Sequence, residues 1–378
     1  MADQPPPNYD QSQAQTHQTY PPPQPQGGVV TQQPVGPRSL RDDTLLMQKL
    51  ENIDKFHINQ GKPWLEGLTL GVWPNSYIIS DASRTVEIQG DPNGNRAPVP
   101  VFMVQEESNI CIRCLCPGNQ PFVARVHHAK PEVHHSPPCC GCPAPPRYIP
   151  DTNAGVAMTL EREGCCSRWL GCWVCSSFCQ NDMFMHPGSA SVSPGSTRPE
   201  QDTYFARSVI PIGGGGCTPT FELFVREGVR SKMGVDGEEK PFAWSQGPTF
   251  YGGWLSACFD TIFNISSEKG DRKNPDYVEI RKMRAETCGK WCMELCTKVD
   301  HYAINTKEKY KTLTPEEKMA ILGNVIHIDY AFFENDPPPC YVQGDNNSAV
   351  IICTLCMWYC WGCSCPVQIC IPLGGGDN

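Results

Sequence analysis

Two deficits in the sequence exclude whole classes of protein. Basic residues are outnumbered, since 31 Lys and Arg stand against 40 Asp and Glu and give a formal net charge of -9. A nucleic-acid-binding protein needs a basic face for phosphate contacts, so no nucleic-acid partner is expected. The chain also lacks a charged segment followed by an apolar one at its start, and Met1-Ala2-Asp3 lacks the Gly that N-myristoylation requires. Secretion and N-terminal acylation are therefore not expected.

Motifs for bond-making catalysis are absent as well. The sequence has no Gly-rich phosphate loop with Lys, no Gly-x-Ser-x-Gly elbow and no isolated Cys with an evident base. The Gly-rich stretch Ile212–Cys217 lacks the Lys and the Ser or Thr of a phosphate loop, and it is interpreted as a flexible turn. We therefore predict that the protein is not an enzyme.

The N-terminal segment, residues 1–44, has little that could form a core. Pro, Gln, Gly and Thr dominate it, and no Lys or Arg precedes Arg38. Burial cannot offset the ordering entropy of such a segment, which predicts a disordered proline-rich arm. The arm contains Pro6-Pro7-Asn8-Tyr9, a PPxY string of the kind that WW domains bind, and the proline run Pro21–Pro23. WW or SH3 domain proteins are the expected partners, and an inert solvated tail is the alternative.

Residues 45–336 have the texture of a β-rich domain. Short β-branched and aromatic runs are separated by Gly, Pro, Asn and Asp, and Asp91-Pro92-Asn93-Gly94 is a clear turn. Regular strand spacing without an intervening helical pattern favours a mainly β fold, a closed antiparallel barrel or a sandwich, over a βαβ fold. Closing the sheet would also remove its edges. The predicted strands are Tyr77–Ser80, Val86–Gln89, Val101–Val104, Phe122–Val126, Val156–Arg162, Phe205–Ile210, Phe221–Val225 and Val278–Lys282.

One helix is signalled near the end of this domain. Thr314-Pro315-Glu316-Glu317 reads as a capping box with Pro at the first helical position, and the apolar residues of Met319–Phe333 lie on every side. Fifteen residues span only ~22 Å of helix, short of the ~30 Å bilayer core. Asp329 inside it would cost roughly 3 kcal/mol in a membrane. We therefore predict a helix buried in protein, inside the barrel, rather than a membrane span.

Residues 337–378 form a Cys-rich hydrophobic tail. Ala349–Leu373 comprises 25 consecutive positions without a formal charge, and Pro366 interrupts it after 17. That length is at the lower edge of a spanning helix. A C-terminal membrane anchor and an interfacial, S-acylated tail both remain open.

Several stretches of the chain resemble the phospholipid scramblase family, and they occur in the family's order over roughly residues 45–334. The most specific is the strand that runs directly into the cysteine cluster GCCSRWLGCWVC. The stretches are Leu50-Glu51-Asn52-Ile53-Asp54 with Trp64-Leu65-Glu66 and Leu68-Thr69, Pro121-Phe122 with Arg125, Met158-Thr159-Leu160-Glu161-Arg162, and Ile328-Asp329-Tyr330-Ala331-Phe332-Phe333-Glu334.

The resemblance implies a Tubby-like domain, a closed β-barrel around one hydrophobic helix. It implies ATP-independent, calcium-stimulated, bidirectional movement of phospholipids between leaflets. It also implies attachment through palmitate on cysteines, with the protein on the cytoplasmic face of the plasma membrane and adaptor-type binding by the proline-rich arm. A membrane-tethered, lipid-binding adaptor that uses the PPxY arm without transport is the alternative function.

Two of the cysteine clusters, among 23 cysteines in all, are candidate sites. Cysteines without a signal peptide should mostly stay reduced, and adjacent acylated cysteines give durable anchoring. Zinc ligation and buried packing are alternatives to acylation at the first cluster, and zinc is not favoured at the second because cysteines are simply abundant. The S-acylation candidates are Cys165, Cys166, Cys172, Cys175 and Cys179, and the zinc candidates are Cys111, Cys114, Cys139 and Cys142.

The calcium segment of the family corresponds to Asp300–Ile304, just before the helix. Lys298 stands where the family has its first acid, and Lys307, Lys309 and Lys311 fill the region of its later acids. Calcium prefers several carboxylate oxygens. Asp300 is the candidate ligand, but the segment argues against calcium as a cofactor.

A basic concentration lies upstream of that segment and has two open interpretations. It could meet anionic lipid headgroups, or it could be a solvated surface, since acids are interspersed in it. Its members are Lys269, Arg272, Lys273, Arg281, Lys282 and Arg284.

Overall fold

A computed structural model describes most of the domain and the tail. The described residues all fall within one compact unit, residues 37–378. They are 40, 43–51, 53–61, 74–108, 121–136, 146–162, 182–190, 204–226, 240–270, 274–284, 300–333, 340–344 and 349–373.

Antiparallel strands dominate these residues. In chain order they are β1 (Lys55–Gly61), β2 (Ser76–Gln89), β3 (Arg96–Glu107), β4 (Phe122–His134), β5 (Arg147–Pro150), β6 (Val156–Arg162), β7 (Asp182–Pro187), β8 (Ala206–Val209), β9 (Thr220–Val225), β10 (Ala243–Gln246), β11 (Phe250–Tyr251), β12 (Thr261–Ser266), β13 (Val278–Lys282), β14 (His301–Thr306), β15 (Cys340–Gly344), β16 (Ala349–Cys360) and β17 (Cys363–Leu373).

Twelve of the strands close into a barrel. Their order is β3-β2-β1-β14-β13-β12-β10-β9-β8-β7-β6-β4, and the pairing of β3 with β4 completes the ring, while β5 adds to β4 outside it. Every pairing in the ring is antiparallel; β2 and β4 also share a short parallel bridge at Ile88 and Val133. The predicted mainly β fold with a closed antiparallel barrel is confirmed.

Alternating burial explains why these runs form barrel strands. In β1 the side chains of Phe56 and Ile58 are buried while Lys55 and His57 lie on the outer side. A strand turns successive side chains to opposite faces, so this alternation fits one face on the core. The eight predicted strands fall on seven observed ones, because Tyr77–Ser80 and Val86–Gln89 both lie on β2, and Val156–Arg162 and Val278–Lys282 match at both ends.

The described residues contain three α-helices, α1 (Thr44–Glu51), α2 (Gly253–Cys258) and α3 (Pro315–Ile328). The sequence signals did not predict α1, which buries Leu46 and Leu50 and begins where the Asp43 carboxylate accepts the Leu46 N–H at 2.9 Å. The capping box predicted at Thr314 is confirmed, because Thr314 and Glu317 exchange side-chain to backbone hydrogen bonds. None of the described helices has the length and apolarity required to cross a bilayer.

Helix α3 is enclosed by protein. Every residue from Lys318 to Ile328 is buried, and the helix packs on β7, β8 and β9. Two of its polar side chains meet β8, since Asn324 Nδ2 and His327 Nδ1 both lie within 3.0 Å of the Ser208 hydroxyl. A π-helical turn, Asp329–Phe333, continues it.

The tail forms strands rather than the spanning helix that is one of its two sequence-based interpretations. Ala349–Leu373 forms the hairpin β16–β17, so the spanning-helix interpretation is wrong for these residues. The physical signal was period two in β17, where apolar residues and Cys occupy every odd position and Pro, Ser or Gln recur between them. β16 also pairs with β11 and β15, which makes a second, four-stranded sheet.

A disulfide crosses this second sheet. Cys340 and Cys353 are directly opposed on β15 and β16, and their Cα atoms are 4.2 Å apart. The other cysteines among the described residues are free, so the expectation that the thiols mostly stay reduced has its one described exception at this pair. Paired strands bring two cysteines into bonding range that the sequence separates by 13 positions.

Candidate functional site

One face of the second sheet is apolar and uncharged. Directly opposed residues of antiparallel strands share a face, and the register places Ile371 opposite Ile351 and Cys365 opposite Trp358. We call this surface the apolar face. It comprises Cys340, Val342 and Gly344 of β15, Ala349, Ile351, Cys353, Cys356, Trp358 and Cys360 of β16, and Cys363, Cys365, Val367, Ile369, Ile371 and Leu373 of β17, with Phe250 of β11 opposite Trp358.

Large side chains of the apolar face are open to solvent. The exposed fraction is 65 % for Val342, 48 % for Ile371 and 41 % for Trp358. A contiguous exposed apolar surface marks a contact with a membrane, a protein or a ligand. Its lack of any charged residue fits a lipid surface better than a polar partner.

The hairpin is anchored to the barrel by its other face. Met357 and Tyr359 are buried in the core, and the Tyr359 hydroxyl donates to the Gly214 carbonyl at 2.8 Å. Gly214 has φ +59°, and a Cβ at this position would overlap the Tyr359 hydroxyl. The Gly-rich stretch Ile212–Cys217, interpreted from the sequence as a flexible turn, therefore contacts the hairpin directly at Tyr359.

Helix α2 joins the apolar face to a basic surface. At its start the indole N–H of Trp254 lies 3.3 Å from Cys340 Sγ, and at its end the Cys258 carbonyl accepts from Arg284 Nη1 at 2.8 Å. The next residue, Phe259, is 65 % exposed. Six residues of α-helix span ~9 Å, so the two surfaces are close neighbours.

The basic surface is a groove on the outside of the barrel, with a volume of about 430 Å³. The register between β1 and β14 places Lys55 opposite Asn305 and His57 opposite Ala303. The register between β14 and β13 places Ala303 opposite Arg281. The small Ala303 between two longer side chains leaves the depression. We call it the basic groove, and it is lined by Lys55, His57, Asp260, Arg281, Met283, Arg284, Ala303 and Asn305.

Asp260 fixes both arginines of the groove. Its carboxylate lies 3.2 Å from Arg281 Nη1 and accepts the Arg284 backbone N–H at 3.0 Å. Glu279 accepts from Arg281 Nη2 at 3.0 Å. Burial, and then the charge of Lys55, lower the pKa of His57. His57 is therefore neutral near pH 7, and the cations of the groove are Lys55, Arg281 and Arg284.

The calcium candidate Asp300 already has a cation partner. Its Oδ1 lies 2.8 Å from Lys282 Nζ, and both side chains are largely buried. Lys282 Nζ also lies 3.7 Å from the centroid of the Phe333 ring. Within the described residues no group of three or more His, Cys, Asp or Glu side chains could hold a metal ion. Asp300 is thus committed to an ion pair.

A second carboxylate, Asp329, lies buried near this ion pair. The hydroxyls of Tyr77 and Tyr302 donate to it at 2.6 and 2.5 Å. Burial raises the pKa of Asp329 to about 7, and the charge of Asp300 adds to the increase, whereas the two tyrosines and Lys282 oppose it. Asp329, whose insertion into a membrane would cost free energy, is hydrogen-bonded inside the protein.

Most of the predicted site residues lie outside the described residues. These are Pro6, Pro7 and Tyr9 of the WW-ligand motif, Cys165, Cys166, Cys172, Cys175 and Cys179 of the acylation cluster, and Cys111, Cys114, Cys139 and Cys142 of the zinc cluster. Of the basic concentration, Arg281 and Arg284 line the groove, while Lys282 faces Asp300 and Lys269 lies 3.9 Å from Glu222.

The apolar face and half of the groove were not predicted from the sequence. The odd-position apolar pattern of β17 could have revealed the face. No sequence signal could have placed Lys55 beside Arg281, because they lie on strands more than 200 residues apart with β14 between them.

Comparison of the chain with protein-family models, with curated proteins and with solved structures gave no match.

Proposed function

We propose that the protein attaches to phospholipid membranes through the apolar face and moves phospholipids between leaflets without an energy source. The apolar face carries this proposal, because it exposes aromatic and aliphatic side chains without a charge. Burying such a surface at the acyl-chain boundary is favourable by roughly 25 cal/mol per Å². The movement of lipids itself rests on the resemblance to phospholipid scramblases.

We propose a Tubby-like arrangement in which α3 lies inside the barrel. The continuous burial of Lys318–Ile328 supports it. So do the contacts of the π-helical turn, where Asp329 meets β2 and β14, Tyr330 stacks on Phe122 of β4, and Phe332 meets Phe221 of β9. In this arrangement the barrel is a scaffold, and lipid contact belongs to the outer surfaces.

Covalent palmitate is proposed as a second anchor. The cluster from Cys165 to Cys179 is the candidate, since one acyl chain alone holds a protein only marginally and several adjacent ones add up. Hydroxylamine cleaves thioesters, so it should lower the membrane-bound fraction without abolishing it. An unchanged fraction would leave the apolar face as the principal anchor.

Calcium stimulation is the part of the family's activity that the surroundings of Asp300 argue against. The Asp300 carboxylate would have to lose its ion pair with Lys282 before it could bind calcium. We therefore propose lipid movement that does not depend on calcium at cytosolic concentrations. WW or SH3 partners for the arm and a location on the cytoplasmic face of the plasma membrane remain proposals from the sequence.

A vesicle assay tests lipid movement. The full chain is reconstituted with phosphatidylcholine vesicles that carry a fluorescent phospholipid in both leaflets, and dithionite then bleaches the outer leaflet. The proposal expects protein-dependent bleaching of the inner-leaflet dye without ATP and equally with calcium or chelator. Vesicles that bind the protein yet keep the inner dye protected would identify the adaptor alternative instead.

A further inference from the structure

The basic groove has a charge that opposes the rest of the chain. Its lining carries the cations Lys55, Arg281 and Arg284 and the single anion Asp260, so 3 − 1 gives a formal charge of +2. Glu279 beside it reduces the local excess to +1. The whole chain has a formal charge of -9. A positive depression on an acidic protein selects for an anionic ligand.

Donors in the groove remain available to such a ligand. Lys55 forms no ion pair with any described residue, and the guanidinium of Arg284 donates to a backbone carbonyl, not to an acid. Arg281 is less open to a ligand, because its Nη1 faces Asp260, its Nη2 donates to Glu279 and its Nε–H is shielded from solvent. Asp260 holds the two arginines in place, which prearranges these donors.

The position of the groove indicates the source of the anion. Helix α2 starts beside Cys340 on the apolar face and ends at the groove, where exposed Phe259 precedes Asp260. A bilayer that contacts the apolar face would bring its headgroup layer within about one short helix length of the cations. A volume of about 430 Å³ fits the ~300–1,000 Å³ of small-ligand sites.

We propose that the basic groove binds the phosphate of an anionic phospholipid in the bilayer that the apolar face contacts. This inference rests on the proposed function, since it takes the membrane attachment as given and adds a preference among lipids. Arg284 and Lys55 donate to the phosphate oxygens, and Arg281, held by Asp260 and Glu279, adds positive charge beside them. His57 and Asn305 line the wall between them.

Vesicle-binding titrations of the full chain test this site. The probes are phosphatidylcholine vesicles, the same vesicles with added phosphatidic acid or phosphatidylserine, and free inorganic phosphate. The variant Lys55→Gln/Arg284→Gln removes two groove cations, and Lys269→Gln/Lys311→Gln removes the same charge elsewhere. An additional variant, Ile369→Ser/Ile371→Ser, weakens the apolar face.

The groove variant should bind acidic vesicles about 25-fold more weakly, about fivefold for each cation near an anionic bilayer. Its binding to phosphatidylcholine should be unchanged, and the control variant should behave as the wild-type chain. Equal losses in the groove and control variants would overturn the site. So would binding of inorganic phosphate as tight as binding of the acidic vesicles.

Failure of the site and failure of the proposed function give different results. If the wild-type chain binds neutral and acidic vesicles equally and only the apolar-face variant is weakened, the groove is overturned and the attachment stands. If the wild-type chain binds no vesicles, the attachment fails and the groove proposal fails with it.

Discussion

Lys282 at the end of β13 and Asp300 just before β14 form an ion pair, with 2.8 Å between Nζ and Oδ1. The lysine also lies over the Phe333 ring, which ties the pair to the end of the π-helical turn. A lysine thus occupies the position that a cation would need. Calcium and Lys282 compete for the same carboxylate.

This competition predicts weak calcium binding. Few anionic oxygens and a bound lysine place the affinity of order 10⁻³ M or weaker. Calorimetric titration of the full chain should show no saturable binding at micromolar calcium, and Asp300→Ala should change nothing. A micromolar isotherm that disappears in Asp300→Ala would contradict the account.

The buried helix gives a stability prediction. Ile326 is 1 % exposed, so Ile326→Asp buries an unpaired charge and should cost roughly 4 kcal/mol or more, enough to unfold a marginally stable domain. Ile212→Asp is the matched control, because its side chain is 63 % exposed. Limited proteolysis distinguishes the two. A protease-resistant Ile326→Asp variant would show that α3 is not a core element.

Asp329 should make stability depend on pH. Its folded pKa of about 7 lies above the ordinary value of 3.8, so the folded state binds the proton more tightly than the unfolded state. The protonated Asp329 therefore contributes its full stabilisation below pH 3.8. As the pH rises towards 7 this contribution to the free energy of unfolding is lost, at up to about 1.4 kcal/mol per pH unit. Urea denaturation should show that Asp329→Asn gains stability relative to the wild-type chain over this range.

The control for that prediction has the opposite sign. Burial raises the pKa of Asp276, but hydrogen bonds from Lys309 and Ser267 outweigh it and lower the pKa overall. Asp276 therefore stabilises the fold above its unfolded pKa, and Asp276→Asn should lose stability as pH rises through that range. Identical pH profiles for the two variants would contradict both assignments.

Substitution of Gly214 tests whether its contact with Tyr359 holds the hairpin against the barrel. Both Gly214→Ala and Gly216→Ala place an alanine at positive φ, at roughly 1–2 kcal/mol of strain. Only Gly214→Ala also overlaps the Tyr359 hydroxyl, since nothing lies within 4 Å of a Cβ at Gly216. Hydrogen exchange in residues 349–373 should therefore accelerate more in Gly214→Ala. Equal acceleration would show that this contact does not hold the hairpin.

Which features could be predicted from the sequence depends on how far apart in the chain the interacting residues lie. The barrel strands and the Thr314 cap were predictable because alternation and capping are local patterns. The hairpin was not predicted, because a long uncharged run with a central Pro also fits a membrane segment. The ion pair of Lys282 with Asp300 and the groove between Lys55 and Arg281 require the strand register, which no local signal specifies.

Trp358 reports on whether the apolar face enters the bilayer. Its side chain is 41 % exposed on that face, whereas Trp244 lies on β10 of the barrel. Trp244→Phe and Trp358→Phe are each titrated with phosphatidylcholine vesicles whose acyl chains carry bromine, a short-range quencher of tryptophan fluorescence. We expect strong quenching in the wild-type chain and in Trp244→Phe, and weaker quenching in Trp358→Phe, where the exposed Trp254 and Trp361 still contribute. Equal quenching in all three proteins would contradict insertion of the apolar face into the bilayer.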